Sequence, residues 1–215
     1  KRIACGKAFC SSGKALLGVT PQWGILTGVR PAKLALRGLS SGETKTEVKS
    51  HMTKEYLVSP KKAALVTDIA ATEKKIISKL DSKTCSVYIS IPFCPSRCSY
   101  CSFVSFTSSK LLSLIDDYII KLCNDIKDIF EEIKRLGLTV STVYIGGGTP
   151  TTLDEKQLKK LLDVINSCID TQGLEEFTLE AGRPDTITQE KLTVIKNGGV
   201  TRVSVNPQTL NPAVL

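Results

Sequence analysis

Histidine, tryptophan and methionine each occur once in this 215-residue sequence, and no apolar run is long enough to cross a membrane. A transmembrane helix needs about 18 or more consecutive apolar residues, so we do not expect a membrane-spanning protein. The eight cysteines fall well below the roughly 8–10% that marks a disulfide scaffold. The hydrophobic content of 41% and the charged content of 23% also exclude a disordered or collagen-like chain.

The N-terminus does not have the pattern of a secretory signal, because Lys7 and Lys14 interrupt its apolar stretch. We therefore expect a cytoplasmic protein. The only methionine is Met52, and the chain stops at Leu215 within a repeating strand–helix pattern, so we expect a truncated piece of a longer protein. Such a piece would have an unprotected sheet edge, and we expect it to be aggregation-prone and inactive by itself.

Positive charge is concentrated in the N-terminal part of the chain. Residues 1–83 contain 16 Lys and Arg against 6 Asp and Glu, whereas residues 84–215 contain 13 against 15. A basic segment of this kind is compatible with an anionic substrate, an acidic partner or a nucleic acid. No aromatic pattern typical of RNA binding accompanies the lysines, so we favour a solvated lysine-rich surface.

Residues 1–83 are predicted to form a mainly helical segment. Apolar residues at helical spacing predict a helix from about Thr44 to Tyr56. Ser59 followed by Pro60 is typical of a helix start, with an N-cap and a proline at the first helical position. One face of the helix that starts there carries Leu65, Ile69, Ile76 and Leu80.

From residue 84 onward, strands and helices alternate, which predicts parallel βαβ units. The predicted strands are Cys85–Ile91, Thr139–Ile145, Phe177–Ala181 and Val200–Asn206, and the predicted helices are about Leu111–Leu136, Asp154–Ile169 and Thr188–Lys196. Each strand has one apolar and one polar face, whereas a doubly wound sheet should be apolar on both. We therefore expect a barrel or half-barrel whose inner wall carries Tyr88, Glu180 and Ser204.

Three cysteines, Cys94, Cys98 and Cys101, follow the first predicted strand with the spacing C-x3-C-x2-C. Active sites of parallel barrels lie at the carboxyl ends of the strands. Three thiolates can bind three irons of a cubane cluster and leave the fourth iron open to another ligand. Cys85, expected to be buried in the first strand, and Cys123, expected in a helix core, are poorly placed as a fourth ligand.

Other interpretations of these motifs are weaker. A zinc site of three cysteines and one histidine would need His51, which lies far upstream. A phosphate-binding loop at residues 146–149 would need a lysine after the glycines, and none follows. Cys168 is expected to pack in the core, and Cys5 and Cys10 have no assigned role.

C-x3-C-x2-C with an aromatic residue before the third cysteine resembles the signature of the radical S-adenosylmethionine (SAM) superfamily. Further motifs are similar to those of the oxygen-independent coproporphyrinogen III oxidase family, in particular its HemZ branch, the coproporphyrinogen dehydrogenases. These motifs span Tyr88–Cys94, Ile145–Thr151, Trp23–Pro31, Glu180–Thr186 and Val205–Gln208.

The resemblance implies an α/β fold in which residues 84–215 form the first four strands of a partial (β/α)6 radical SAM barrel, preceded by the helical segment 1–83. It implies a [4Fe–4S] cluster bound by Cys94, Cys98 and Cys101, with SAM chelated to the open iron. Tyr100 would pack near the adenine, and Glu180 would accept hydrogen bonds from the ribose. The other implied SAM contacts are Tyr88, Gly147, Gly148, Thr149 and Gln208, of which Gly147 to Thr149 would meet the methionyl end.

The resemblance also implies one-electron chemistry. An electron donor such as a ferredoxin or flavodoxin would reduce the cluster, and cleavage of SAM would give a 5′-deoxyadenosyl radical. That radical would oxidatively decarboxylate coproporphyrinogen III to protoporphyrinogen IX, a step of heme biosynthesis. One alternative is a radical SAM-fold heme chaperone, whose distinguishing motif would lie after Leu215. A second alternative is an RNA-modifying radical SAM protein that uses the basic segment.

Overall fold

The computed structural model describes residues 1–27 and 30–211 and divides the chain into two compact units, Lys1–Asp81 and Ser82–Leu215. Two residues of the Trp23–Pro31 motif, Gly28 and Val29, lie outside the described residues. In the described part of the chain, no helix combines the length and the hydropathy that a membrane crossing needs.

The first unit is helical, as the sequence predicts. Its helices are α1 (Arg2–Leu17), α2 (Ala32–Ser40), α3 (Lys45–Tyr56) and α4 (Pro60–Ile77). Thr44 caps α3 through a reciprocal pair of hydrogen bonds with Glu47, and the Ser59 hydroxyl accepts a hydrogen bond from the Lys62 backbone N–H at the start of α4. These side chains satisfy backbone donors that have no partner inside the helix, which fixes where each helix begins.

The buried face of α4 differs from the apolar stripe that the sequence suggested. Leu65, Ile69 and Ile76 are exposed, and Leu80 lies beyond the end of the helix. The buried positions of α4 are instead Ala63, Val66, Thr67 and Ala70. The small side chains of this face let α4 approach α2 closely, and Ala35 of α2 is fully buried there. The size of the side chains, rather than their hydrophobicity, therefore determined which face of α4 is packed.

The second unit is an α/β structure. Its strands are β1 (Thr84–Ile91), β2 (Thr139–Gly147), β3 (Glu176–Glu180) and β4 (Arg202–Ser204). Its helices are α5 (Ser109–Leu112), α6 (Ile115–Arg135), α7 (Glu155–Cys168) and α8 (Gln189–Asn197). Short 3-10 helices occupy Pro150–Thr152, Thr171–Gly173 and Pro184–Thr186. The strands are parallel and lie in the order β1-β2-β3-β4, the arrangement predicted for one side of a (β/α) barrel.

One face of this sheet is apolar and the other is polar, as strand parity predicted. Ile89, Ile145 and Leu179 are buried against the apolar residues of α6 and α7. The opposite face carries Tyr88, Tyr144, Glu180 and Ser204, in addition to an ion pair between Arg202 and Glu176 (Nη1–Oε2 2.9 Å). Tyr88 is therefore placed on the polar wall, opposite the core.

Four local predictions need correction. The long helix predicted from Leu111 is broken at Ser113–Leu114 into α5 and α6, because Leu114 leaves the helical conformation. The fourth strand is shorter than Val200–Asn206: Gly199 turns the chain at φ +84°, and the Val200 backbone N–H still bonds to α8. Strand β2 continues to Gly147 because it pairs with β1 as far as Ile91. Cys85 is half-buried, at the start of β1, rather than buried.

Candidate functional site

The cysteine loop leaves the carboxyl end of β1 and is closed at its base by backbone hydrogen bonds. The Cys94 N–H donates to Phe106 O at 3.1 Å, and the Phe106 N–H donates to Pro92 O at 2.7 Å. Phe93 is buried beneath this closure and packs edge-on against Tyr118 at 5.2 Å between ring centroids. The loop is thus anchored to the core at both ends, although its cysteines remain half-buried.

The glycine-rich end of β2 packs directly against the cysteine loop. The Gly148 N–H donates to Ile91 O and the Thr149 N–H donates to Phe93 O, both at 2.8 Å, and the buried Thr149 hydroxyl donates to Cys94 Sγ at 3.3 Å. A Cβ on Gly148 would lie 2.7 Å from Phe93 O and 2.9 Å from Cys94 Sγ. A side chain at this position therefore has no space, which explains the glycine physically.

A cavity of about 190 Å³ lies between the cysteine loop and the carboxyl ends of the strands. Nine of the ten predicted site residues line it: Cys94, Cys98, Tyr100, Cys101, Gly147, Gly148, Thr149, Glu180 and Gln208. The tenth, Tyr88, lies on the polar sheet face outside the cavity lining. The structure thus brings together residues from four separate segments of the chain, and their contacts with SAM remain predictions.

Glu180 is held by a tyrosine that was not singled out in the sequence. The Tyr144 hydroxyl donates to Glu180 Oε1 at 2.5 Å, and the Tyr144 ring stacks on Tyr88 with 5.7 Å between centroids. Burial, followed by this hydrogen bond to a carboxylate, raises the pKa of Tyr144 to about 12. Burial also raises the pKa of Tyr88. Both phenols are therefore neutral near pH 7, and Tyr144 acts as a hydrogen-bond donor to Glu180.

A side-chain contact joins the segment after β4 to the cysteine loop. The Tyr100 hydroxyl donates to Gln208 Oε1 at 2.8 Å, and Gln208 Nε2 donates to Gly182 O at 3.2 Å. Tyr100 is 68% exposed, so one side of its ring is open to the solvent. The predicted adenine contact of Tyr100 is compatible with this exposure.

Arg183 and Ser96 are two further lining residues that the sequence interpretation missed. Arg183 Nη1 lies 3.0 Å from Ser96 Oγ and 3.9 Å from Cys98 Sγ. The Glu180–Thr186 motif contains Arg183, but the motif gives no indication that its guanidinium reaches a loop 85 residues earlier in the chain. Tertiary structure was needed to find this contact.

The donor set fits the [4Fe–4S] cluster that the resemblance implies. Cys94, Cys98 and Cys101 are free thiols on one wall of the cavity, with hydroxyl and guanidinium donors near two of the sulfurs. Neither Cys85 nor Cys123 lines this cavity. Within residues 1–27 and 30–211, no three His, Cys, Asp or Glu side chains already converge in a metal-coordinating geometry. His51, in the first unit, is half-exposed and lies near Glu43 and Tyr56.

Comparison with known proteins gives consistent results. The model of the radical SAM superfamily matches residues 88–215. The chain is 36% identical over 199 residues to the oxygen-independent coproporphyrinogen-III oxidase-like protein HemZ of Bacillus subtilis, covering 91% of this chain and 40% of that protein. It is 39% identical over 132 residues to the heme chaperone HemW of the same organism, covering 60% of this chain and 33% of that protein.

A solved structure shows the same fold. Coproporphyrinogen III oxidase (HemN) from Escherichia coli, a radical SAM enzyme, superimposes with a TM-score of 0.54 at 24% sequence identity. The match covers 67% of this chain and 32% of that chain, so the present chain spans 40% or less of the length of these relatives. The resemblance inferred from the sequence is confirmed. The motif, the parallel sheet and the matched residues together show that this chain belongs to the radical SAM superfamily.

Proposed function

We propose that this protein oxidatively decarboxylates coproporphyrinogen III to protoporphyrinogen IX without oxygen, using radical SAM chemistry. One observation carries the choice of substrate. The similarity to HemZ extends over 91% of the chain and must therefore include most of residues 1–83, whereas the match to HemW covers 60%. The helical unit, and not only the barrel, thus resembles a protein of the coproporphyrinogen oxidase type.

In this proposal, Cys94, Cys98 and Cys101 hold the [4Fe–4S] cluster. The cluster and SAM would supply a one-electron cleavage and a radical that abstracts hydrogen from a substrate propionate; loss of CO2 would then leave the vinyl group and release one electron, which a one-electron acceptor would take up. An electron donor of the ferredoxin or flavodoxin class and a cytoplasmic location are part of the same proposal. The protein's own contribution is to position SAM and to limit access of water and oxygen.

Several residues of the cavity would position SAM. Glu180 offers carboxylate oxygens to ribose hydroxyls, with one of them fixed by Tyr144. Gly147 and Gly148 line the cavity and would offer backbone groups to the methionyl end, while β1 and the cysteine loop pack where their side chains would be. Tyr100 and Gln208 form the edge of the cavity on the side of the segment after β4.

Substrate charge offers weaker support. Coproporphyrinogen III carries four carboxylates, and the first unit is strongly basic. In that unit, a cavity of about 210 Å³ on the side of α2 and α3 is lined by Arg37 and His51 but also by Glu43, so the support comes from the basic surface and not from this cavity. A basic surface raises the local concentration of an anionic substrate but does not identify it.

A heme chaperone is the second candidate, because the chain is 39% identical to HemW over 132 residues. The chaperone function would use the same fold to carry heme, with no decarboxylation of a porphyrinogen.

Anaerobic incubation of the whole reconstituted protein with SAM, a strong reductant and coproporphyrinogen III tests the proposal. We expect methionine, 5′-deoxyadenosine, CO2 and a vinyl-bearing product, and none of these with Cys98→Ala. Cleavage of SAM without a vinyl product, together with tight heme binding, would replace the oxidase by the chaperone.

A further inference from the structure

The guanidinium of Arg183 bridges the loop after β3 and the cysteine loop. On one side, Nε and Nη2 donate to Asp185 Oδ1 and Oδ2 at 3.1 and 2.9 Å. On the other side, Nη1 lies 3.0 Å from Ser96 Oγ and 3.9 Å from Cys98 Sγ. The Arg183 side chain is 21% exposed, so solvent screens these contacts only in part.

The backbone beneath Arg183 is also fixed. Arg183 O accepts hydrogen bonds from the Thr186 N–H at 3.0 Å and from the Thr186 hydroxyl at 2.7 Å. The Thr186 hydroxyl in turn contacts that of Thr151 at 2.6 Å, and both residues are buried. The two-pronged pair with Asp185, whose side chain is 55% exposed, then orients the guanidinium, so the approach to Cys98 follows from a fixed backbone together with this ion pair.

This arrangement places the charges of the ion pair in a definite order. The cation faces the Cys98 sulfur, and the carboxylate of Asp185 lies on the far side of the guanidinium. One-electron reduction of an iron–sulfur cluster adds negative charge, which a nearby cation and donors to the cysteine sulfurs stabilise. The pair is neutral in total, yet the orientation of its dipole favours the reduced cluster.

A direct contact of Arg183 with the SAM carboxylate is less compatible with this geometry. The Nε–Nη2 edge of the guanidinium, which could bind a carboxylate through two parallel hydrogen bonds, is already occupied by Asp185, and the second such edge, Nη1–Nη2, shares Nη2 with that pair. Both Nη1 contacts face the cysteine loop. Arg183 is therefore placed to act on the cluster electrostatically.

We propose that Arg183, oriented by Asp185, is a positioning residue that raises the reduction potential of the cluster held by Cys94, Cys98 and Cys101. The inference rests on the cluster assignment made in the proposed function. It adds a residue that sets the electron affinity of the site, through the contact with Cys98.

The test is an anaerobic redox titration of the reconstituted protein, followed by the electron paramagnetic resonance signal of the reduced cluster. Arg183→Gln leaves the negative charge of Asp185 uncompensated beside the cluster, so the reduction potential of the cluster should fall. Asp185→Asn keeps the guanidinium and removes the carboxylate that compensates its charge, so the reduction potential of the cluster should rise. The double variant restores neutrality and should lie between the two single variants.

Arg135→Gln is the matched control, since it removes the same charge from an exposed ion pair with Glu132 on α6 and should leave the potential unchanged. A structural role for Arg183 would instead disturb the loop in both single variants and shift both potentials in the same direction, or reduce iron content without an ordered shift. Either result, or equal potentials in all variants, overturns the inference while leaving the cluster assignment intact. A wild-type protein that binds no cluster overturns both.

Discussion

The Tyr144 hydroxyl lies 2.5 Å from Oε1 of Glu180, one strand away on the polar face of the sheet. This hydrogen bond fixes the Glu180 carboxylate. The other carboxylate oxygen, Oε2, lies 3.1 Å from the point that a Cβ on Gly146 would occupy. A side chain at Gly146 would also meet the Tyr144 ring at 2.7 Å. The glycine therefore makes room for the tyrosine, and the tyrosine orients the carboxylate at the cavity.

Tyr144→Phe should weaken SAM binding because it frees the Glu180 side chain to rotate away from the ribose. Loss of a hydrogen bond of about 1 kcal/mol corresponds to an affinity loss of roughly fivefold. Calorimetric titration of the reconstituted protein with SAM measures the effect. Tyr118→Phe is the control, since the Tyr118 hydroxyl donates to Ser90 O and lies outside the cavity. Equal affinities in wild type and Tyr144→Phe would contradict the orienting role.

The same tyrosine predicts a dependence of stability on alkaline pH. The pKa of Tyr144 is raised from 10.0 to about 12, so between these values the unfolded chain loses a proton that the folded chain keeps. The contribution of Tyr144 to the free energy of unfolding is thus complete below pH 10 and is lost as the pH rises toward 12. Urea unfolding of wild type and Tyr144→Phe over this range measures the difference. That difference should shrink with rising pH, and a constant difference would contradict the shifted pKa.

Gly148→Ala should destabilise the cysteine loop, because the added Cβ would lie 2.7 Å from Phe93 O. Overpacking of this kind costs about 1–3 kcal/mol, and it should reduce the iron content after reconstitution. Gly173→Ala is the matched control, because nothing lies within 4 Å of its added Cβ. Urea unfolding and iron analysis check both variants. Equal stability and iron content in Gly148→Ala and Gly173→Ala would show that the loop tolerates the added methyl group.

The sequence predicted the order of strands and helices and the two faces of the sheet, since both depend on local periodicity. Thr44, Ser59 and Asp154 also mark helix starts, because N-cap residues act through bonds within one turn. The buried face of α4 was mispredicted, because Ala63 and Ala70 pack on small size rather than on hydrophobicity. That choice depends on the partner helix, which local sequence does not specify.

The cavity residues that belong to a recognisable sequence pattern could be predicted. Cys94, Cys98 and Cys101 followed from spacing, and Glu180 followed from strand parity together with the family resemblance. Arg183 was not predictable, because its contact with Cys98 joins two loops 85 residues apart. Tyr144 was not singled out in the sequence, and only the register between β2 and β3 shows that it reaches Glu180.

The central claim of this account is that three cysteines, and no others, hold one iron–sulfur cluster. The most direct measurement is the iron and sulfide content of single Cys→Ala variants after anaerobic reconstitution. We expect Cys94→Ala, Cys98→Ala and Cys101→Ala to lose the cluster. Cys85→Ala, Cys123→Ala and Cys168→Ala should keep it, since none of these three lines the cavity. A full cluster in Cys98→Ala, or its loss in Cys168→Ala, would contradict the account.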